Sequence, residues 1–412
     1  MDRMKNAGVI SIGNELLSGR VVNTNSTYIS QFLKQYGISV NFIITIGDDK
    51  SAIIQAIDAC RLHADLIFIT GGLGPTHDDI TKTTIAEYFN SKLVFHEDIL
   101  NDIRDLFRRR GKVMSESNVS QAMIPDKAQI IPNPVGTAQG MKFQQKDKTF
   151  YVMPGVPIEM ERILIDSVSI DMEQLSEARI NTLTIHTTGV PESELYGKIE
   201  NWISIQKQIG ISILPHFTHI DLVLYSGDTD SLTLLDIAKR QLAEKLGEIV
   251  YGYDDETLEM DVANLLIDKK MTIAVAESCT GGLITDRLTN VSGSSAYFIL
   301  GVVTYSNESK VLLINVNPET LKRYGAVSSE TAKEMALGVR KLSGCDIGLS
   351  STGIAGPPGG SDEKPVGLVH VGLSMSGFLE SFEFRFLQDR IMNKQLFSQM
   401  ALNQLRLTLL RE

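Results

Sequence analysis

The residue types best suited to chemistry lie in two short segments near the C-terminal end of the chain, Ala276–Gly282 and Ser351–Pro357. Each follows a short apolar run that predicts a buried parallel strand. Hydroxyls and glycines at a strand end, beside the free N–H groups of a helix start, are typical of an anion or oxyanion site. Tyr305 and Lys310 lie between the two segments. This combination predicts hydrolysis of an amide by a serine that uses a lysine as its base.

Ser278 is the predicted nucleophile, because a strand-to-helix turn would project its hydroxyl into a cleft. Lys310 is the predicted base, and it accepts a proton only where burial or a nearby positive group lowers its pKa. Tyr305 would relay the proton or orient the substrate. Four alternatives stay open: Ser278 and Thr280 cap the next helix, Cys279 is the nucleophile, Lys310 is a solvated surface residue, and Tyr305 is a half-buried strand residue.

A second dense motif is the N-terminal segment Gly71–Asp79, which reads GGLGPTHDD. Its glycines let a backbone approach a phosphate closely and form an anion-binding nest. Asp78 and Asp79 suit a hard divalent cation that bridges phosphate oxygens. The motif lacks the lysine of a Walker loop. The structural alternative is a sharp turn followed by an acidic helix start. For His77, a solvated side chain is favoured over a metal ligand.

The elements around these motifs alternate between strand-like and helix-like segments from residue 6 to about 170, which predicts a mostly parallel sheet. Such sheets bind ligands at the C-terminal ends of their strands. The predicted strands are Val9–Ile12, Val40–Ile46 and Leu66–Thr70. The predicted helices are Ser26–Tyr36, Ser51–Leu62 and Thr81–Phe89.

The chain therefore divides into three predicted domains of α/β class. Residues 1–175 form a three-layer, mostly parallel α/β domain, residues 176–254 a small, mostly polar α+β module, and residues 255–412 a second α/β domain. Thr331–Leu342 is the clearest helix of the last domain, and Leu387–Leu410 a long terminal one. His216 and His219 lie in a predicted turn of the middle module, and the sequence assigns them no site.

Composition excludes several classes of protein. The chain has 412 residues, 43% of them hydrophobic and 22% charged, as expected of a globular protein of several domains. No apolar run is long enough to span a membrane, and no secretory signal is recognised. The net charge of −11 argues against a general nucleic-acid binder. Three widely spaced cysteines predict a reducing cytoplasm rather than a disulfide framework.

The segments Ala276–Gly282, Thr304–Asn307 with Lys310, and Ser351–Pro357 resemble the C-terminal domain of the CinA family. Stand-alone members of this domain convert nicotinamide mononucleotide to nicotinate mononucleotide and ammonia without a cofactor. The resemblance implies Ser278 as nucleophile and Lys310 as base, with Asn393 standing where the family often carries a second arginine. It implies further site residues at Tyr305, Thr352, Thr280, Gly281, Gly282, Gly353, Ala355, Gly356 and Arg390.

The N-terminal segments around Gly13, Asn23, Gly71 and Gly136 resemble the N-terminal CinA domain, which is similar to molybdopterin-binding proteins. Members hydrolyse ADP-ribose to AMP and ribose 5-phosphate with a divalent metal cation and potassium. The resemblance implies that Asp78 and Asp79 either bind the metal or position the attacking water, with Glu15 and Glu159 as further carboxylate candidates. It implies substrate contacts at Gly13, Asn14, Glu15, Asn23, Asn25, Gly71, Gly72, Gly74, Thr76, Asn118, Gly136, Thr137 and Gly155.

The leading hypothesis is thus a cytoplasmic enzyme that hydrolyses two small nucleotides, nicotinamide mononucleotide and ADP-ribose. One rival is an enzyme that handles a molybdopterin-related ligand, although this leaves Ser278 and Lys310 unexplained. The other is a non-enzymatic partner in competence or DNA damage with a degenerate amidase site. The sequence predicts no membrane partner and no direct nucleic-acid partner. It predicts a homodimer, because the middle module between two open sheets needs a partner to bury its edges.

Overall fold

The computed structural model describes residues 6–76, 79–175, 180–227 and 230–412. The chain divides into two compact units, Met1–Asn181 with Gly227–Ser231, and Thr182–Ser226 with Leu232–Glu412. The predicted α/β class is confirmed. The finer division into three domains stays a prediction.

The first unit contains a six-stranded sheet between helices, with strand order β2-β1-β3-β8-β7-β6, and a separate two-stranded sheet of β4 and β5. Strands β2, β1, β3 and β8 are parallel to one another. Strand β7 is antiparallel to β8, and β6 is antiparallel to β7. Its strands are β1 (Asn6–Ile12), β2 (Ser39–Ile46), β3 (Leu66–Thr70), β4 (Leu93–Phe95), β5 (Met123–Pro125), β6 (Gln129–Ile131), β7 (Gly140–Gln145) and β8 (Lys148–Met153). Its α-helices are α1 (Asn14–Leu17), α2 (Thr24–Lys34), α3 (Lys50–His63), α4 (Thr81–Tyr88), α5 (Glu97–Arg109), α6 (Pro157–Ile163) and α7 (Ser169–Leu175).

Strand β3 explains why this unit has three layers. All five of its residues are buried, and successive side chains of a strand point to opposite faces. Ile67 and Ile69 pack in one apolar core, and Leu66 and Phe68 pack in the other. Continuous burial of this kind is typical of a central strand covered by helices on both faces.

The middle module is a four-stranded sheet of order β10-β11-β9-β12 with two helices. Its strands are β9 (Asn181–Thr187), β10 (Gly210–Pro215), β11 (Ile220–Ser226) and β12 (Val250–Tyr253), and its helices are α8 (Glu192–Ile205) and α9 (Ser231–Leu246). The expectation of a mostly polar module was wrong. Leu195, Ile199 and Trp202 of α8 pack with apolar residues of β9, β11 and α9 in a core of their own, so the argument for a dimer from exposed edges is weaker.

The C-terminal part of the second unit is a five-stranded sheet of order β14-β13-β15-β16-β17. Strands β14, β13 and β15 are parallel to one another. Strand β16 is antiparallel to β15, and β17 is antiparallel to β16. Its strands are β13 (Ile273–Glu277), β14 (Phe298–Val303), β15 (Ile347–Gly353), β16 (Leu368–Met375) and β17 (Phe378–Arg385). Its helices are α10 (Leu258–Asp268), α11 (Leu283–Thr289), α12 (Asn307–Ile314), α13 (Pro318–Tyr324), α14 (Ser329–Ser343) and α15 (Arg390–Arg411).

Candidate active sites

The C-terminal candidate site lies where three parallel strands end together. Glu277, the last residue of β13, pairs with Val303 of β14 and with Ser351 of β15. The residues that follow these strands therefore meet at one edge of the sheet, where open α/β sheets bind ligands. This register brings Ser278, which follows β13, to Lys310, which lies in the helix that follows β14.

Lys310 is fully buried, so it is not a solvated surface lysine. Its Nζ lies 3.1 Å from Ser278 Oγ, 2.7 Å from the Thr304 carbonyl oxygen and 3.3 Å from the Tyr305 carbonyl oxygen. Burial lowers the pKa of Lys310 to about 8. A neutral amine would donate its two hydrogens to the two carbonyls and direct its lone pair at the Ser278 hydroxyl. That is the arrangement that a general base requires.

The structure disfavours two alternatives for this turn: helix capping by Ser278 and Thr280, and Cys279 as the nucleophile. Helix α11 takes Gly282 as its N-cap and has no side-chain cap from Ser278 or Thr280; the Thr280 hydroxyl bonds Ser351 Oγ at 2.7 Å instead. Cys279 packs among apolar side chains, and burial raises the pKa of its thiol to about 12. A thiol in that state holds its proton and is a poor nucleophile.

The backbone N–H groups of the Thr280–Gly282 turn differ in whether they could face an oxyanion. The buried carboxylate of Glu277 accepts the Gly282 N–H at 2.9 Å and two further N–H groups from the first turn of α11. The Gly282 N–H is therefore already bonded within the protein. Thr280 and Gly281 remain, because their N–H groups meet no acceptor in the described part of the chain.

Arg390 joins the site from the start of α15. Its guanidinium donates to the Gly356 carbonyl at 2.7 Å and to the Tyr305 hydroxyl at 3.2 Å. Tyr305 is 63% exposed just beyond β14, so it is not a half-buried strand residue. These contacts place a cation and a phenol at the mouth of the site, where an anionic substrate group would enter.

Asn393, which replaces an arginine of the family pattern, is a structural residue here. It is fully buried, and its amide donates to the Ala355 carbonyl at 3.1 Å and to the Gln388 carbonyl at 2.7 Å. The next residue, Lys394, lines a cavity of about 400 Å³ together with Thr280–Gly282. A cation thus faces the glycine turn from position 394, where a Cβ on Gly281 would lie 3.5 Å from the Lys394 Nζ.

Thr352 and Gly353 contribute backbone geometry to the site. The buried Thr352 hydroxyl donates to the Ala326 carbonyl at 2.7 Å, which ties β15 to the segment before α14. A Cβ on Gly353 would meet the Leu368 carbonyl oxygen at 2.5 Å, so the antiparallel neighbour strand approaches closely there. Thr352 is accordingly a positioning residue rather than a group that faces a substrate.

The N-terminal candidate site is a cavity of about 560 Å³ at the C-terminal ends of β1, β3 and β8. Parallel strands explain why loops far apart in sequence converge there. The predicted residues that line the cavity are Gly13, Asn14, Glu15, Gly71, Gly72, Gly74, Asp79, Thr137 and Gly155.

Two glycines make this convergence possible. Gly71 has φ +112, and a Cβ there would lie 2.0 Å from the Ile12 carbonyl oxygen. A Cβ on Gly155 would lie 3.2 Å from the Gly71 Cα. The ends of β1, β3 and β8 therefore approach each other at backbone distance, which only glycine allows.

Four carboxylates line the cavity: Glu15, Asp48, Asp79 and Glu159. Asp79 accepts bonds from the Thr76 N–H and hydroxyl at 3.0 and 2.6 Å, and burial raises the pKa of Glu159. Oxygen donors of this kind fit a hard divalent cation. His77 and Asp78 lie outside the described residues.

Asp48 is a lining residue outside the predicted set. It follows β2 in the segment Gly47-Asp48-Asp49, and its carboxylate accepts the Asn14 N–H at 2.9 Å. The signal was an acidic pair directly after a predicted parallel strand.

The remaining predicted residues support the loops from outside the cavity. Asn25 donates to the Thr70 hydroxyl and the Gly155 carbonyl, both at 2.9 Å. Asn23 caps α2 by accepting the Ser26 N–H. They hold the strand ends in place.

Asn118 and Gly136 are not among the residues that line the cavity. The buried Asn118 amide donates to Ser115 Oγ at 2.8 Å. The Gly136 N–H donates to Asn133 Oδ1 at 3.0 Å, and the Asn133 amide in turn donates to Glu159 at 2.7 Å. The Gly136 loop thereby orients one of the four carboxylates.

Comparison with known proteins finds one family match in the N-terminal part of the chain and another in the C-terminal part. Residues 8–173 match the family model described as "Probable molybdopterin binding domain", and residues 255–409 match the CinA C-terminal domain. A CinA-like protein from Chloroherpeton thalassium is 42% identical over 412 residues, covering 97% of this chain and 98% of the relative. A CinA-like protein from Dictyoglomus thermophilum is 40% identical over 387 residues, covering 93% and 94%. The chain belongs to the CinA family.

A crystal structure of a CinA protein of unknown function from Thermoplasma acidophilum is 37% identical and covers 41% of this chain and 98% of its own, with a TM-score of 0.37. Among the described residues, helices long and apolar enough to cross a membrane are absent.

Proposed function

We propose that this chain is a hydrolase with two independent sites that act on pyridine-nucleotide fragments. The C-terminal site would deamidate nicotinamide mononucleotide. The observation that carries this proposal is the 3.1 Å contact between the Nζ of a fully buried Lys310 and Ser278 Oγ.

The reaction follows from the groups in this site. Ser278 Oγ attacks the amide carbon while its proton passes to Lys310, and the N–H groups of Thr280 and Gly281 face the developing oxyanion. Collapse of the tetrahedral intermediate breaks the C–N bond, and the proton on Lys310 leaves with ammonia. Water then attacks the Ser278 ester, with Lys310 again as base, and releases the carboxylate product.

The two cations at the mouth of the site would hold the substrate phosphate. Arg390 presents a planar fork that suits two phosphate oxygens, and Lys394 presents a point charge beside the glycine turn. Tyr305, bonded to Arg390, would order the pyridine end of the substrate.

The N-terminal site would hydrolyse ADP-ribose to AMP and ribose 5-phosphate. Gly72 and Gly74 would take the pyrophosphate on their backbone N–H groups, because both line the cavity, and Gly71, whose N–H donates to the Met153 carbonyl at 3.1 Å, would let the phosphates approach closely. Glu15, Asp48, Asp79 and Glu159 would hold a divalent cation, which supplies charge neutralisation on the phosphates; potassium is a further proposed cation. A cytoplasmic homodimer completes the proposal, and the three buried free cysteines fit a reducing compartment.

The first experiment measures ammonia release from nicotinamide mononucleotide by the purified chain in EDTA. We expect release by the wild type and by the exposed control variant Lys322→Ala, and none by Lys310→Ala. A folded wild type that releases no ammonia would refute the amidase proposal.

The second experiment measures AMP formation from ADP-ribose with Mg²⁺ or Mn²⁺, and with EDTA. We expect activity only with metal, and its loss in Asp79→Asn but not in Asp147→Asn, whose carboxylate is in the exposed turn between β7 and β8. Metal-independent cleavage would contradict the proposed cation site.

A second candidate for the N-terminal cavity is a molybdopterin-related ligand, which the match of residues 8–173 favours. Both ligands carry phosphate, so the glycine loop serves either. A competition experiment distinguishes the two ligands. Tighter binding of a molybdopterin than of ADP-ribose in this cavity would favour the second candidate.

A further inference from the structure

Three imidazoles surround one carboxylate in the middle module. His186 lies on β9, Asp221 lies on the adjacent strand β11, and His216 and His219 lie in the turn that leads into β11. Asp221 Oδ1 is 2.6 Å from His186 Nδ1 and 3.5 Å from His219 Nε2, and its Oδ2 is 3.0 Å from His216 Nε2. This group lies apart from the Ser278 and Gly71 sites in sequence and shares no residue with either.

The hydrogen positions at His186 are constrained from both sides. Its Nε2 is 2.6 Å from the Asp254 carbonyl oxygen, which can only accept, so Nε2 carries a hydrogen. In a neutral imidazole Nδ1 is then a lone pair that faces the Asp221 carboxylate at 2.6 Å. Two acceptors at that distance require a positive centre, either a second proton between them or a metal ion that both bind after moving slightly apart.

One proton shared by His186 and Asp221 accounts for that single contact, but full protonation of the cluster is unfavourable. The rings of His216 and His219 are stacked, with centroids 4.5 Å apart and an interplanar angle of 16°, so two imidazolium charges there would repel each other. In that state one carboxylate would also have to balance three imidazolium charges. A single divalent cation bound by neutral imidazoles and the carboxylate would instead engage all four side chains at once.

The donor atoms lie close to the spacing of a metal site. The ligand atoms of His186, His219 and Asp221 all fall within 4.8 Å of one another. Tetrahedral ligands about 2.0–2.2 Å from zinc are separated by roughly 3.3–3.5 Å, which small side-chain rotations would reach. Nitrogen donors with one carboxylate favour zinc and similar transition metals over magnesium or calcium.

The contacts behind these ligands fix their rings as outer-shell groups do in metal sites. The Asp254 carbonyl holds His186, the Thr218 hydroxyl lies 3.1 Å from His219 Nδ1, and Tyr251 stacks on His186 with centroids 5.6 Å apart. A cleft of about 490 Å³ lined by His216 and His219 gives a route for an ion to enter.

We propose that His186, His219 and Asp221 bind one zinc-class divalent ion, with His216 as the fourth ligand. The ion would join β9, β11 and the turn before β11. The assignment is independent of the two hydrolytic activities, since it uses none of their residues.

The test titrates the metal-stripped full chain with Zn²⁺ and with Co²⁺, whose visible absorption is intense only in tetrahedral sites. We expect one tightly bound equivalent with a tetrahedral Co²⁺ band. Affinity should fall by about 100-fold in His219→Gln and in Asp221→Asn and by about tenfold in His216→Gln. His63→Gln, which changes an exposed histidine on α3, is the matched control and should bind as the wild type does.

The variants also separate this site from the N-terminal carboxylates, which would hold an octahedral ion with weak absorption. A tetrahedral band that survives in both His219→Gln and Asp221→Asn would overturn the proposal, as would wild-type zinc binding no tighter than that of Asp221→Asn. His216 is half-exposed in a turn, so His216→Gln keeps the test valid if a strand variant fails to fold.

Discussion

The two candidate hydrolytic sites are built in opposite ways on the same kind of strand edge. At the C-terminal site the reacting groups contact each other, with Lys310 Nζ 3.1 Å from Ser278 Oγ and fully buried. At the N-terminal site the carboxylates of Glu15, Asp48, Asp79 and Glu159 face a cavity of about 560 Å³. A nucleophile must be activated by the protein itself, whereas hard cations and phosphates are held by oxygen donors and backbone arranged around a space. The comparison predicts that the two activities respond to different perturbations.

The largest expected effect is that of Ser278→Ala. We expect ammonia release to fall by at least about 10³-fold, because removal of a covalent nucleophile leaves only binding and oxyanion stabilisation. ADP-ribose cleavage by the same preparation should be unchanged. Loss of both activities in a variant with wild-type circular dichroism would show that the sites are not independent.

The pH profile tests the buried base. Burial lowers the pKa of Lys310 to about 8, and only the neutral amine accepts a proton, so kcat/KM for ammonia release should rise with pH and level off above about 8. Between pH 6 and 8 the neutral fraction grows by about 50-fold. An amidase rate that is flat across this range would contradict Lys310 as the base.

Substitutions of Arg390 and Lys394 test where the substrate phosphate binds. Arg390→Ala should raise the KM for nicotinamide mononucleotide by about 10–100-fold, and Lys394→Ala by about tenfold, because each removes a charge-assisted contact. The riboside that lacks the phosphate should be affected little by either change. An equal effect on both compounds would mean that these residues act on the fold rather than on the phosphate.

The smallest expected effect is that of Cys279→Ala. Cys279 packs with Ala355, Val369 and Phe397, so its truncation should cost about 1 kcal/mol of unfolding free energy. Ammonia release at saturating substrate should stay within about threefold of wild type. A loss as large as that of Ser278→Ala would make Cys279 the nucleophile.

Much of the fold was predictable because hydrophobic periodicity is local. The predicted strand Leu66–Thr70 has the observed bounds of β3, and the predicted helix Thr81–Phe89 differs from α4 by one residue. The middle module was misjudged, since its apolar residues are spread over α8, α9 and three strands. Only packing collects Leu195, Leu222 and Leu242 into one core.

The sequence by itself determined the family, the α/β class and the identity of the reactive residue types. Motif order and strand periodicity suffice for these, because each motif follows a strand whose end must lie at the ligand edge of a parallel sheet. Tertiary structure decided which groups are free to act. Glu277 occupies the Gly282 N–H, burial holds the proton on Cys279, and Lys394 faces the turn in place of residue 393. It also brought His186 to Asp221 across neighbouring strands. Such choices depend on burial and on distances between residues far apart in the chain, which no local pattern encodes.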